Sequence, residues 1–349
     1  MAISSDPRSP LTPAGDAARI DDAVALAAQM LREADDHAVG RRERRRQARL
    51  AAIVGDADAQ AFTVAMTDEV VRITSERRAW RRFTDLVQST PHRGLGWTSR
   101  ILLRAAAAIG RFAPRPVMYL VERRLRSESS GVVISAGDPE FAGHVAISRA
   151  SGRRPVVNVL GEAILSDAEA NHRRQLVLER LRRPDVDAVS VKLSAICAHL
   201  DVLAFDQTVA ELVDAVRPLL REAGRATPPK FVNFDMEEYR DLALTTAVFR
   251  AVLDEPELRG LIAGLVLQAY LPDTHAVAEE LCEWAAARVA SGGAPVRFRL
   301  VKGANLAMEH VEAELHGWEP APFPDKATVD ASYKALLDLV LRERYDDAV

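Results

Sequence analysis

The sequence predicts an α/β protein: a (β/α)8-type barrel cut off after about five strands and preceded by an α-helical arm. Three observations carry this. Residues 21 to about 126 show helical periodicity only, whereas beyond about 131 short apolar runs alternate with amphipathic helices. Those five runs start roughly 32 to 43 residues apart, the spacing of strand–helix units in a parallel sheet. Each run also ends in a polar residue, at Glu162, Lys192, Asp235, Gln268 and Lys302. An open doubly wound sheet is the alternative, but no Gly-rich dinucleotide fingerprint follows any strand. A ring of polar strand ends is how a barrel builds a site, so the barrel is favoured, although closure needs eight strands.

Residues 1–17, with Ser4, Ser5, Pro7, Ser9, Pro10 and Pro13, are expected to be disordered. Residues 18–130 form the arm. Val24, Ala27, Ala28 and Leu31 make an apolar stripe at helical spacing. The basic run from Arg41 to Arg46 is expected to be a solvated helix face, because acidic residues surround it and no aromatic residue interleaves. Apolar residues on several sides of 101–125 suit a helix packed under or against the next domain. Ser127, Ser129, Ser130 and Gly131 mark the boundary.

Residues 131–349 form the partial barrel. Val156-Val157-Asn158-Val159-Leu160 is the first strand, and Ser166 with Glu169 reads as a capping box for a helix through about Arg183. The second strand runs from Ala188 to Leu193. Its helix places Phe205, Val209, Leu212, Val213 and Val216 on one face and is expected to bend or end near Pro218. The third strand is Phe231-Val232-Asn233-Phe234-Asp235, and its helix carries Leu242, Phe249, Val252 and Leu253 before Pro256. The fourth is Gly264-Leu265-Val266-Leu267-Gln268, after which Asp273 is placed to cap a helix burying Val277, Leu281 and Trp284. Val296, Phe298, Leu300 and Val301 suit a buried fifth strand, where Gly303 lets backbone approach a ligand. Helices near 306–315 and 326–341 follow.

The totals set bounds. The chain has 349 residues, 48% hydrophobic and 28% charged, a globular balance with a sizeable core. The net charge of −4 gives no general attraction to nucleic acid or anionic lipid. Two cysteines, Cys197 and Cys282, make no disulfide framework and suit a reducing compartment. No apolar run is long enough to span a membrane, and the N-terminal end lacks the order of a secretory signal. His310 and His316 have no metal-type spacing, so no metal is expected.

Taken singly, the polar strand ends have ordinary readings. Lys192 snorkels, Asp235 caps a helix, Gln268 is structural, and Arg299 and Lys302 pair with Asp235. Jointly they describe a cationic pocket holding one carboxylate, suited to an anionic ligand and a polar cofactor. The motifs Ser190-Val191-Lys192-Leu193-Ser194-Ala195, Asp235-Met236-Glu237-Glu238, Leu267-Gln268-Ala269-Tyr270 and Arg299-Leu300-Val301-Lys302-Gly303-Ala304, and Lys326 with Thr328, Asp330 and Tyr333, occur in that order. In these the chain resembles the proline dehydrogenase barrel, most closely the N-terminal part of bifunctional proline utilisation flavoenzymes.

The resemblance implies FAD bound without a dinucleotide fold and oxidation of L-proline to 1-pyrroline-5-carboxylate. It implies flavin contacts at Gln268, Arg299, Val301, Lys302, Gly303, Ala304 and Lys326, and a proline site at Lys192 and Asp235 that hold one another's charge states. Arg299 would stabilise charge as hydride arrives at the flavin, making Lys192, Asp235 and Arg299 the catalytic set. Membrane quinone would accept the electrons, a later NAD-dependent aldehyde dehydrogenase domain would supply the second activity, and the location would be cytoplasmic, peripheral at the inner face of the membrane. A homo-oligomer is compatible. Two departures stand out. Asn305 occupies a substrate-site position where the family commonly has a tyrosine wall. The family's last three strands, a Ser/Thr-His-Asn flavin-phosphate motif and a late helix with paired arginines do not follow, so this stretch alone is expected to be an inactive fragment with exposed sheet edges. The competing readings are an aldolase-like barrel with Lys192 as Schiff-base nucleophile, and a helical module binding nucleic acid or protein through the basic arm.

Overall fold

The computed structural model describes residues 13–36, 44, 47–48, 51, 55–71, 73, 75–89, 97–129, 140–159, 164 and 166–349. The chain divides into two compact units, residues 1–135 and 136–349. Among the described residues no helix is long and apolar enough to cross a membrane.

The first unit has helices and turns but no strand among its described residues. Its helices are Pro13–Asp36, Ala57–Ala65, Glu76–Ser89, Trp97–Ile109 and Pro114–Ser129, with a π-helical turn at Met66–Val71. The first helix takes in residues 13–17 of the segment expected to be disordered, because proline is tolerated in a first turn and alanines follow it. Its stripe of Val24 and Leu31 is exposed. Of the basic run, only Arg44 is described, as an exposed helical residue, and the rest lies outside the described residues. Asp56 starts the next helix by accepting a hydrogen bond from the Ala59 amide at 2.8 Å. Ala79, Phe83, Leu86 and Val87 recur at helical spacing and pack with Phe62, Met66, Val70 and Met118 into the unit's core. Helix Pro114–Ser129 runs through two of the serines read as a boundary.

The second unit is built on a five-stranded parallel sheet. Its strands are β1 (Val156–Asn158), β2 (Ala188–Lys192), β3 (Phe231–Asp235), β4 (Ala263–Gln268) and β5 (Arg297–Val301), in the spatial order β1-β2-β3-β4-β5. A doubly wound sheet would reverse that order at a switch point; sequential order is the connectivity of a (β/α)8-type barrel. Helices Asp167–Arg182, Phe205–Arg225, Leu242–Leu253 and Thr274–Ala290 link successive strands. β2, β3 and β4 are buried, and Phe234, Phe249 and Trp284 meet edge to face in the core. β5 corrects the expectation of a buried strand. It is an edge strand with Arg297 exposed, and buried Val296 lies just before it.

Two further local expectations are overturned. Helix Phe205–Arg225 continues through Pro218. A proline removes only one main-chain donor, and Leu219, Leu220 and Ala223 beyond it are buried, which holds the last turns in place. Asp273 makes no capping bond, because its carboxylate accepts the Tyr239 hydroxyl at 2.6 Å instead. Ser166 does cap its helix, accepting from the Glu169 amide at 3.3 Å, but Glu169 turns to Arg173, so the reciprocal half of the box is missing.

Arg288 organises the far side of this unit. It is 4% exposed, and among the described residues no carboxylate forms a salt bridge with it. Its guanidinium donates instead to the carbonyls of Ala294, Leu253, Leu258 and Arg259, tying the helix Thr274–Ala290 to the end of Leu242–Leu253. Arginine suits this role because its planar fork presents five donors.

Candidate active site

The parallel register brings the polar strand ends to one edge of the sheet. Lys192 pairs in register with Asp235, and Gln268 with Val301. Side chains alternate along a strand, so Ser190 and Asn233 lie one step below Lys192 and Asp235 on the same faces. Asn158, Ser190 and Asn233 are themselves register partners and form a polar layer across β1, β2 and β3. The polar end predicted at Glu162 lies outside the described residues.

That polar layer holds Asp235. The Asn233 side-chain amide donates to Ser190 Oγ and to Asp235 Oδ1, both at 2.9 Å, and Asn158 donates to Asp235 Oδ2 at 3.2 Å. Arg299 Nη1 stands 3.8 Å from Oδ1. The Asp235 side chain is 11% exposed and that of Arg299 is 65% exposed, so the carboxylate is fixed and the guanidinium is open to solvent. The helix-capping alternative for Asp235 is thereby replaced, since a 3-10 turn, Tyr239–Asp241, leads into the helix and Asp235 is occupied from below.

The expected Lys192–Asp235 pairing does not form. Lys192 Nζ instead forms a salt bridge with Glu237 Oε1, and Ser194 Oγ donates to Glu237 Oε2 at 3.2 Å. The reason is geometric. Both Asp235 oxygens already have amide donors, and the lysine stem is long enough to reach the carboxylate two residues further on. Likewise Lys302 reaches Asp330 rather than Asp235.

Gln268 is fully buried and bridges two loops. Its Nε2 donates to the Glu237 carbonyl at 3.0 Å, and its Oε1 accepts from the Ala304 amide at 3.1 Å. The backbone ladder continues past the strands, with Ala269 N on Val301 O and Tyr270 N on Lys302 O, each at 2.8 Å. The chain then passes so close to Tyr270 that a Cβ at Gly303 would enter the ring, and only glycine fits. Asn305 follows, and its carbonyl accepts Glu309 N at 3.0 Å to open helix Leu306–His316. Asp325 caps helix Lys326–Val340 by accepting from the Thr328 amide at 2.9 Å. This places Lys326 one turn before Asp330, to which it donates at 2.6 Å. The two lysines hold the Asp330 carboxyl down at about 2, the hydrogen bond from Lys302 being the larger cause.

Several residues here escaped the sequence reading. Asp241 is buried, with Oδ1 lacking a hydrogen-bond partner; burial, reinforced by Glu238, pushes its carboxyl up to about 6. Burial also raises Glu309, which accepts the Tyr239 amide at 2.7 Å. The buried Tyr270 hydroxyl is pushed up to about 12, by burial first and then by Glu309. The acidic run from Asp235 to Asp241 was visible in the sequence, but its burial was not. Among the described residues no three His, Cys, Asp or Glu side chains are grouped to hold a metal.

The arrangement is thus a fixed carboxylate, Asp235, facing the exposed Arg299, a Lys192–Glu237 ion pair, and Lys302 and Lys326 sharing Asp330. The proline dehydrogenase family model matches residues 142–348. Hydroxyproline dehydrogenase of Rattus norvegicus is 36% identical over 101 residues, 29% of this chain and 21% of that protein. Proline Utilization A (PutA) from Corynebacterium freiburgense is similar in structure with a TM-score of 0.62 and 41% identity, over 72% of this chain and 25% of that one. The Bdellovibrio bacteriovorus PutA inactivated by N-propargylglycine has a TM-score of 0.61 at 24% identity, over 87% of this chain and 33% of that one, a likeness of fold alone. The chain therefore spans about a fifth to a third of the length of these proteins.

Proposed function

This chain belongs to the proline dehydrogenase family, and we propose that it carries the substrate- and flavin-facing strand ends of an enzyme that oxidises L-proline to 1-pyrroline-5-carboxylate. The observation that supports this most is the convergence of Lys192, Asp235 and Arg299 at one edge of a sequentially ordered parallel sheet.

The residues fit FAD. The cations Arg299, Lys302 and Lys326 suit an anionic group, which would share Lys302 and Lys326 with Asp330, and the Gly303–Ala304 backbone lies beside them, held against the Tyr270 ring. Val301, Gly303 and Ala304 would hold FAD together with those three cations, and Gln268, whose two polar ends are spent on Glu237 and Ala304, would act by holding the Ala304 turn in place. The flavin supplies a two-electron acceptor for the hydride leaving proline C5. Asp235, fixed by Asn158 and Asn233, is placed to accept a hydrogen bond from the ring amine. Lys192 supplies positive charge to the substrate carboxylate. Arg299 is free to follow negative charge as it develops. Asn305 lines the substrate side at the mouth of helix Leu306–His316.

The Schiff-base alternative finds less support, since an ammonium held in a salt bridge has no lone pair with which to attack a carbonyl. We further propose that quinone accepts the electrons at the cytoplasmic membrane face and that an NAD-dependent aldehyde dehydrogenase domain consumes the product. The full-length protein should purify yellow and lose its flavin colour on addition of L-proline. A colourless protein that takes up no added FAD would remove this reading.

A further inference from the structure

We propose that Glu237 is a positioning residue, holding the Lys192 ammonium at the substrate edge and coupling it to the Gly303–Ala304 turn. The activity part of this inference rests on the proposed function; the pairing itself does not. A lysine at a strand end has a flexible four-carbon stem and ordinarily extends to water. Here the Lys192 side chain is 22% exposed and its carboxylate partner 27%. What keeps it in is the Glu237 carboxylate, whose own freedom is removed twice over. Ser194 Oγ donates to its second oxygen at 3.2 Å, and Gln268 Nε2 donates to its main-chain carbonyl at 3.0 Å. Gln268 carries the connection onward to the Ala304 amide at 3.1 Å.

Asp235 does not take this role here: Asn233 and Asn158 each donate to one of its oxygens and Arg299 lies 3.8 Å away, while Lys192 reaches Glu237. Two carboxylates two residues apart therefore divide the work. Asp235 is hydrogen-bonded from below by amides and faces Arg299, while Glu237 balances Lys192. Losing the Glu237 charge would leave Lys192 free to swing out, while the main-chain tie through Gln268 to the turn stays in place.

The test compares Glu237→Gln with the wild-type protein in two ways. First, amine acylation of Lys192 at pH 8 is measured by mass spectrometry against exposed Lys334 as internal reference. This needs no substrate. The relative labelling of Lys192 should rise at least about three-fold in Glu237→Gln, as expected when a coupled pair is broken. Second, kcat/KM for L-proline should fall about ten-fold in Glu237→Gln but less than about two-fold when the same change is made in Lys192→Met, since the partner it acts through is already gone. If circular dichroism shows that Glu237→Gln does not fold, Ser194→Ala, which frees one Glu237 oxygen, carries both measurements with a smaller rise and fall. Unchanged labelling, or an equal loss of activity with and without Lys192, overturns the proposal. A full-length wild-type protein that folds but does not oxidise proline overturns the functional reading alone, and the labelling ratio then decides the pairing.

Discussion

Replacing Gln268 with leucine keeps a side chain of similar length in a fully buried position and removes two hydrogen bonds at once. The Glu237 carbonyl loses its donor at 3.0 Å and the Ala304 amide its acceptor at 3.1 Å. A typical bond contributes about 1 kcal/mol net, and a buried group left unpaired costs about 1–3 kcal/mol. Ala304 is exposed, so its amide can turn to water at little cost; the Glu237 carbonyl bears most of the loss. The expected destabilisation is about 2–3 kcal/mol, a large share of a typical domain's 5–15 kcal/mol, roughly. Gln268→Glu sharpens the test. Its carboxylate would still accept from Ala304 but, when ionised, would set a buried charge against the Glu237 carbonyl, so its folded-state pKa should lie above the unfolded value. Such a group stabilises below the unfolded pKa, and that stability is lost as pH rises through the folded value. Urea unfolding of both variants at pH 5 and pH 8 reads the effect. A Gln268→Leu protein within about 0.5 kcal/mol of wild type, or a Gln268→Glu protein whose deficit does not grow with pH, refutes the bridge as an energetic tie.

Four other outcomes follow from the same geometry. In the full-length protein, Lys192→Ala and Asp235→Ala should each lower proline turnover by more than roughly ten-fold, measured as dye reduction, with near-normal turnover in both returning them to structural roles. Asn305→Tyr should shift the apparent affinity for proline far more than flavin content, and the reverse would misplace Asn305. Asp241→Asn should stabilise the protein relative to wild type above pH 6 by up to about 3 kcal/mol and little at pH 4, because the raised Asp241 pKa favours folding at low pH and that gain is lost through about pH 6. A difference between the two proteins that is constant across this range in urea titrations counts against it. Arg288→Met keeps the apolar stem but strands several buried carbonyls, so unfolding midpoints should report a loss of at least about 3 kcal/mol; a loss under 1 kcal/mol, about the size of one bond, would mean that water satisfies them.

The fold was largely legible because its signals are local. Apolar runs such as Val232 to Phe234 and Leu265 to Leu267 announce strands, and the amphipathic spacing of Leu212, Val213 and Val216 announces the helix between them. Which residues share the site edge was also legible, since strand register follows from the runs themselves. Side-chain pairing was not. Lys192 was expected to meet Asp235, its register partner, and only the amide layer of Asn158 and Asn233 explains why it meets Glu237. Pro218 and Asp273 misled for the same reason. Their local preferences were overridden by the burial of Leu219 and Leu220 and by the hydroxyl of Tyr239, a residue 34 positions away in sequence.

The order of the sheet also bears on how it can be made. Each strand from β2 onward pairs with the strand immediately before it in sequence, and the paired residues lie between 31 and 43 positions apart. Among these five strands, none from β2 onward waits for a later strand before it can pair. Loop closure grows only slowly with length, so each new strand meets a similar entropic cost on joining. Contact order thus stays low for a parallel β protein, and the sheet can grow one unit at a time along its β5 edge as the chain leaves the ribosome. On this route the site edge is assembled in the order Lys192, Asp235, Gln268, Arg299, with its cationic end arriving last.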